Sequence, residues 1–441
     1  MKRRPLAALA GAVALTVPWI AVTLLGIGGR LAALPTVVLS GPAVLGTAFL
    51  LAWAAETAEK DVPRAFAIAV LAVLAVAPEY AVDALYAWEA GQFAGTTRGL
   101  EASNLAVANM TGANRILIGL GWSGIVAFTI LRRGADEDSS VVRRSGFLRD
   151  AVRVDPDISL DIVFLGLATA WAFTVPMTGG INIVDTAVLV GLYVAYISVI
   201  IRGDIDHEEN VGVPRYLQSL RKRVRIPVVI GLFVFSLSML LIAVKPFAHG
   251  LESLGTAVGL PEFFMIQWVA PLASESPELI VVAYLVTKAR STAGFNALVS
   301  SKLNQWTLLI GTLVVVYSLA LGQYGALPFD RKQAGEIWLT AAQSLFAIAL
   351  LVDLEFSLRE AALLFALFSS QVLIEFALVR GVLDVPFASY DVLIAFSVVY
   401  VLLGAANIVR QRGSVRALLD RTVSDISAAR RPDAEGLDRA D

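Results

Sequence analysis

Two proline–glutamate pairs stand inside otherwise apolar sequence, Pro78-Glu79 and Pro277-Glu278, about half a chain apart. Each lies within a stretch long enough to cross a bilayer. A charged side chain at the centre of a bilayer costs about 2.5–3.5 kcal/mol on insertion scales. A structural role does not require that cost twice in the same local context. Proline removes a backbone donor and clashes with the preceding turn, so each pair predicts a broken helix. Non-helical backbone at membrane depth is tolerated only where it lines a cavity or is buried in protein. Two broken helices with acidic residues, one in each half, form the pattern expected of an inverted-repeat ion transporter.

The elements that must position these carboxylates are membrane spans. The chain has 441 residues, 57% hydrophobic and 16% charged, with mean hydropathy +0.73. A soluble domain carries about 25% charged residues. The fold class read from this is an all-α polytopic membrane protein. Net charge is −2, which offers no basic surface to nucleic acid. There are no cysteines, so disulfides, iron–sulfur clusters and thiol catalysis are excluded. His207 and His249 fall in expected loops far apart, which argues against a zinc site. No nucleophile–base pair, metal motif or phosphate loop points to an enzyme, and no cofactor is expected.

Apolar runs of spanning length fall at 5–27, 37–58, 63–90, 101–131, 159–176, 181–201, 225–246, 256–287, 293–322, 335–352, 358–380 and 387–409, about twelve helices in all. The first follows Lys2, Arg3 and Arg4. It is read as a retained helix rather than a cleaved signal, being long for an h-region. With the N-terminus cytoplasmic, alternation puts the arginine-rich segment 132–158, segments 202–224 and 288–290, and the tail from Arg410 on the same side. Segments 177–180 and 381–386, poor in Lys and Arg, fall outside, as the positive-inside rule requires. Both termini are therefore expected in the cytoplasm of a protein integral to the cell membrane. The reading divides the chain into an extra N-terminal helix (1–30), a first repeat half (31–202), a cytoplasmic loop (203–224), a second half (225–381), an extra C-terminal helix (382–411) and a tail (412–441). That tail is expected to be disordered or a short surface helix. Five spans in each half is an odd number, so the halves insert in opposite directions, as two inverted five-helix repeats.

The halves share more than the Pro-Glu pair. Asn104-Leu105-Ala106-Val107 matches Asn296-Ala297-Leu298-Val299, and Leu117-Ile118-Gly119 matches Leu309-Ile310-Gly311. With these residues the chain resembles the calcium/cation antiporter superfamily, which includes the sodium/calcium exchangers. Its repeats carry a G-[ST]-S-x-P-E-[LIV] turn, then a helix with a GN-x-x-GSN-x-x-[ND] pattern. Ser274-Glu275-Ser276-Pro277-Glu278-Leu279 fills the turn, and Asn296, Ser300 and Asn304 fit the helix at i, i+4, i+8, on one face. Departures are specific. Val76 and Glu275 stand where a hydroxyl is usual. The matched face of the first repeat reads Asn104, Ala108, Gly112, with Asn109 or Asn114 as substitutes from an adjacent face. Asp83 is gained one turn after Glu79.

The resemblance implies a cation site made of Glu79 and Glu278, with Glu275 and Asp83 as further carboxylates. Asn104, Asn109, Ser300 and Asn304 would supply amide and hydroxyl oxygens. Hard cations such as Na⁺ and Ca²⁺ take oxygen ligands. Carboxylates this close do not all stay ionised without a cation, so an empty site is expected to take up protons. The function implied is secondary antiport of Ca²⁺ or another cation for Na⁺ or H⁺ by alternating access. A sodium/proton exchanger on the same fold stands beside it, as does a channel-like or non-transporting protein that kept the fold. The partners expected are inorganic cations and the lipid bilayer, and the sequence does not set the oligomeric state. Lys302 is read first as structurally paired, with neutralising Glu275, replacing a cation or snorkelling to an interface as its other roles; Arg115 has a similar reading. Asn109 and Asn114 serve equally well as interhelical hydrogen-bond partners. Asp161, Asp185, Glu355 and Glu375 are read as interfacial, and Trp88, Trp122, Trp268 and Trp306 as packing or belt residues.

Overall fold

Long runs of Ala, Leu, Val and Ile satisfy their backbone internally only as helices when water is absent, and helices dominate the computed structural model. It describes residues 3–62, 77–202, 212–383 and 386–429. Val76, His207, the start of the expected 63–90 span and the tail beyond residue 429 lie outside the described residues. In chain order the helices are α1 (Arg3–Leu24), α2 (Ala33–Ala58), α3 (Ala77–Gln92), α4 (Thr97–Ile116), α5 (Ser123–Leu131), α6 (Ser159–Ala172), α7 (Ile183–Arg202), α8 (Gly212–Gln218), α9 (Lys222–Ala257), α10 (Ala270–Thr287), α11 (Ser291–Asn304), α12 (Ile310–Leu321), α13 (Arg331–Leu351), α14 (Leu358–Val379), α15 (Ser389–Arg410) and α16 (Arg412–Ala429). Eleven helical segments among the described residues are long and apolar enough to cross a membrane. Of the expected twelve, the remaining one is described only by α3.

Three π-turns interrupt these helices. Leu117–Trp122 joins α4 to α5, Met265–Val269 leads into α10, and Gln305–Leu309 joins α11 to α12. The expected break at Pro277 is not seen, and the turn before Pro78 lies outside the described residues. Helix α10 runs through Pro277 unbroken, and the Ser274 and Ser276 hydroxyls return hydrogen bonds to the preceding turn. The irregularity sits about two to three turns upstream, in the π-turn. His249 is likewise not in a loop, because α9 runs on to Ala257. In the tail, Arg412–Ala429 is helical and packs on α6 and α7.

Packing between the halves is reciprocal. Helix α5 lies on α14, and α12 on α7; α4 lies on α13, and α11 on α6. A Cβ at Gly119 would stand 2.3 Å from Phe368 of α14, and one at Gly311 2.7 Å from Val190 of α7. Two small sheets tie loops together. β1 (Val141–Val142) and β2 (Ala151–Arg153) pair with β5 (Glu355–Ser357), and β3 (Gly180–Ile181) pairs with β4 (Leu327–Pro328). Each sheet joins segments that charge alternation assigns to one membrane face. The main core packs Trp122, Trp306, Phe295 and Leu298 between the halves, whereas apolar side chains such as Leu241 and Leu373 stay exposed on the outer surface, where lipid would cover them.

Candidate cation site

Helices α3 and α10 each bring a Pro-Glu pair to the interior, and α4 and α11 close over them. The first turn of α3 sets Glu79, and the next turn sets Asp83; both are buried. Helix α10 supplies Glu275, fully buried, and Glu278, half-buried. Glu79 lies within electrostatic range of Glu275, Glu278 and Asp83, and Glu275 within that of Glu278 and Lys302. The four carboxylates share one region. Among the described residues, no three Asp, Glu or His side chains converge closely enough to ligate one ion together.

The donors around them come from four places. Asn109 Nδ2 donates to Asp83 Oδ1 at 2.9 Å, Ser301 Oγ to Glu278 Oε2 at 2.9 Å, and Gln305 Nε2 to Glu275 Oε1 at 2.6 Å. Tyr80 donates to Asn304 Oδ1 at 2.9 Å, linking α3 to α11. Three carboxylate oxygens have no hydrogen-bond partner although buried: Glu79 Oε2, Asp83 Oδ2 and Glu275 Oε2. Asn109 Oδ1 and Gln305 Oε1 are in the same condition. An unpartnered buried acceptor is costly. Oxygens of this kind suit a hard cation or protons as partners.

Two residues expected at the site stand elsewhere. Asn104 lies toward the mouth of α4, donating to Asp330 Oδ2 at 3.0 Å and accepting from the Asp330 amide. Ser300 donates to Asp161 Oδ1 at 2.6 Å, and Tyr196 donates to the same oxygen at 2.7 Å. The repeat alignment put Ser300 on the site face, but helix α11 turns its neighbour Ser301 there instead. Ser301 and Gln305 are i, i+4 on one face. That spacing is visible in Ser301-Lys302-Leu303-Asn304-Gln305, although the family pattern draws the eye to Ser300.

The structure bears on three further expectations. Lys302 does not snorkel: it is fully buried, donates to Asn114 Oδ1 at 2.7 Å and sits 4.1 Å from the centre of the Trp306 ring. Asp161 and Glu375 are buried within the bundle and not interfacial, since hydroxyls hold the one and Lys332 and Gln371 the other. Arg115 is paired with Glu336 at 2.6 Å and Gln371 at 3.2 Å, and stacks over Trp268. Asn114 donates to Met110 O within its own helix at 2.8 Å, and its bond from Lys302 makes it an interhelical link; Asn109 stands beside a carboxylate.

The family described as sodium/calcium exchanger protein matches residues 32–202 and 228–377. The two segments take in both Pro-Glu pairs and every helix around them. The chain belongs to the sodium/calcium exchanger family. It is thus an integral membrane cation antiporter, a transporter by family rather than an enzyme. A crystal structure of the H⁺/Ca²⁺ exchanger CAX superposes with TM-score 0.85 at 41% identity, covering 96% of this chain and 99% of that one. Native YfkE shares the fold with TM-score 0.53 at 13% identity, over 84% of this chain and 98% of that one. The sodium–calcium exchanger NCX_Mj, soaked with 10 mM Na⁺, gives TM-score 0.47 at 14% identity, over 77% and 98% of the two chains. No curated protein sequence matches.

Proposed function

We propose that this family member exchanges Ca²⁺ for H⁺ at Glu79, Glu278, Glu275 and Asp83, with Asn109 and Asn304 as neutral oxygen donors. Three buried carboxylate oxygens without partners carry the reading, because only a cation or protons would satisfy them. Two carboxylates balance a Ca²⁺ ion, and the same two can hold protons in its absence. The similarity to an H⁺/Ca²⁺ exchanger at 41% identity supports the choice of ions.

The proposed cycle is competition at one site. Ca²⁺ draws Glu79 and Glu278 together and displaces their protons. Rocking of one repeat against the other then exposes the loaded site to the opposite face, where protons take the carboxylates back. Ser301 and Gln305 orient Glu278 and Glu275 for this, and Asn109 orients Asp83. Both termini lie on the cytoplasmic side in this reading.

Flux into proteoliposomes under imposed pH, Na⁺ and Ca²⁺ gradients tests it. The wild type is expected to move Ca²⁺ against a pH gradient with no need for Na⁺. Glu278→Gln is expected to abolish that flux. Glu278→Gln exchanging cations as the wild type does would remove the carboxylates from the mechanism, and a strict Na⁺ requirement would replace the proton as coupling ion.

A further inference from the structure

A second chain of titratable groups joins α3 to α9 and has no part in holding the ion. Tyr86 donates to Glu252 Oε1 at 2.6 Å, and Glu252 Oε2 stands 2.9 Å from His249 Nδ1. His249 Nε2 stands 3.2 Å from Glu89 Oε1, and Lys245 Nζ is 3.1 Å from that same oxygen. Tyr86 and Glu89 are buried, whereas about a third of the His249 side chain is exposed, 34%. The charged groups facing His249 are thus Glu89 from α3 and Glu252 from its own helix, with Lys245 behind Glu89. Tyr86 also lies within electrostatic range of Glu262, from the segment before the second π-turn.

The chain has two distinct ends. At the inner end, Glu79, Asp83 and Tyr86 follow one another at i, i+4, i+7, on one face of α3. Tyr86 is one turn from Asp83, whose Oδ2 is buried without a partner. At the outer end, His249 and Lys245 line an open cleft of about 740 Å³ bounded also by Thr23, Gly28 and Thr36 of the α1–α2 region. A different open cleft, about 630 Å³, lies toward α4 and α13 and is lined by Glu101, Glu262 and Asp330 together with Lys332. A simple interhelical clamp needs neither an ionisable group at every link nor an exposed imidazole at one end. A proton path needs both, and histidine suits its mouth because it exchanges protons near neutral pH.

We propose that His249, Glu252 and Tyr86, with Glu89 beside the imidazole, relay protons between the α1–α2–α9 cleft and the Asp83 end of the cation site. The proposal rests on the proton-coupled reading above. In each transfer one N–H or O–H bond forms as the next breaks, and no electrons change hands. His249 takes a proton at one ring nitrogen and releases the proton on the other to Glu252. Glu252 passes a proton to the Tyr86 oxygen, whose own hydrogen turns inward to a water at the spacing between Tyr86 and Asp83. Glu89 steadies the imidazolium while it is charged.

Full-length protein in liposomes tests the relay through two fluxes: Ca²⁺ uptake driven by a pH gradient, and isotopic Ca²⁺–Ca²⁺ self-exchange at symmetric pH. Tyr86→Phe, His249→Gln and Glu252→Gln are each expected to slow the proton-driven flux by about tenfold or more, below the hundredfold often carried by a positioned proton carrier. Self-exchange, which moves no protons, is expected to stay at the wild-type rate and doubles as a control for folding. Loss of both fluxes together, or of neither, would overturn the relay while leaving proton coupling in place. Wild-type protein that performs self-exchange but shows no proton-driven flux would overturn the coupled reading itself, and the relay with it.

Discussion

Arg115 and Glu336 meet at 2.6 Å, and neither side chain is more than 1% exposed. Their helices, α4 and α13, belong to opposite halves of the chain. Breaking a buried pair by removing one partner strands the other charge, at a cost of about 3–5 kcal/mol. Arg115→Leu or Glu336→Leu alone is therefore expected to lower thermal stability in detergent sharply. The double variant Arg115→Met with Glu336→Met is expected to recover most of the loss, and a thermal-shift series on the three proteins checks this. The carboxylates of the cation site differ in kind, because Glu79, Asp83 and Glu275 each keep an oxygen with no partner. Those residues stand out in the sequence, since a charge within an apolar run has few explanations. Ser301 and Gln305 were not legible in the same way. A shift of one residue in helical register decides which hydroxyl faces the site, and the repeat comparison favoured Ser300. Nor was Glu336 legible as the partner of Arg115, since nothing local links residues so far apart in the chain.

At the scale of elements, the π-turns position the site. An extra residue in the turn rotates whatever follows and frees a backbone carbonyl, which is why such turns gather at functional places. The turn at Gln305–Leu309 carries Gln305 to Glu275. The turn at Met265–Val269 presses its backbone on α4, where a Cβ at Gly112 would lie 1.8 Å from the Gln267 carbonyl oxygen. That oxygen is backbone and cannot swing aside. Gly112→Ala is therefore expected to push α4 off the turn, destabilise the protein by about 1–3 kcal/mol and slow transport, whereas Gly124→Ala, with open space around it, is expected to change neither. Melting curves and flux on the two variants read this directly. Most span positions were legible to within a few residues because apolar length is a strong signal, whereas the span expected at 225–246 runs on to Ala257. The π-turns were not, since their residues resemble those of the helices around them. Pro277 was expected to break its helix and does not, because the Ser274 and Ser276 hydroxyls support the turn it weakens.

Across the whole molecule, the two halves meet by reciprocal contacts: α5 on α14 matches α12 on α7, and α4 on α13 matches α11 on α6. Such exchange of equivalent partners is the arrangement through which one repeat can rock against the other about a shared site. The division into oppositely inserted repeats rests on counting spans and loop charges, and each of the two sheets joins loops that this count assigns to one face. The choice of ion was beyond the sequence, because the same carboxylates serve protons, Na⁺ and Ca²⁺ and differ only in the distances they hold. In the proposed exchange Ca²⁺ and protons compete for Glu79 and Glu278. Calorimetric titration of the purified protein with Ca²⁺, in buffers of different ionisation enthalpy, counts the protons released on binding. Release of one or more protons per Ca²⁺ is expected, rising as pH falls toward the acid side of neutrality, and none for Glu278→Gln. Ca²⁺ binding to the wild type with no proton release at any pH would contradict it.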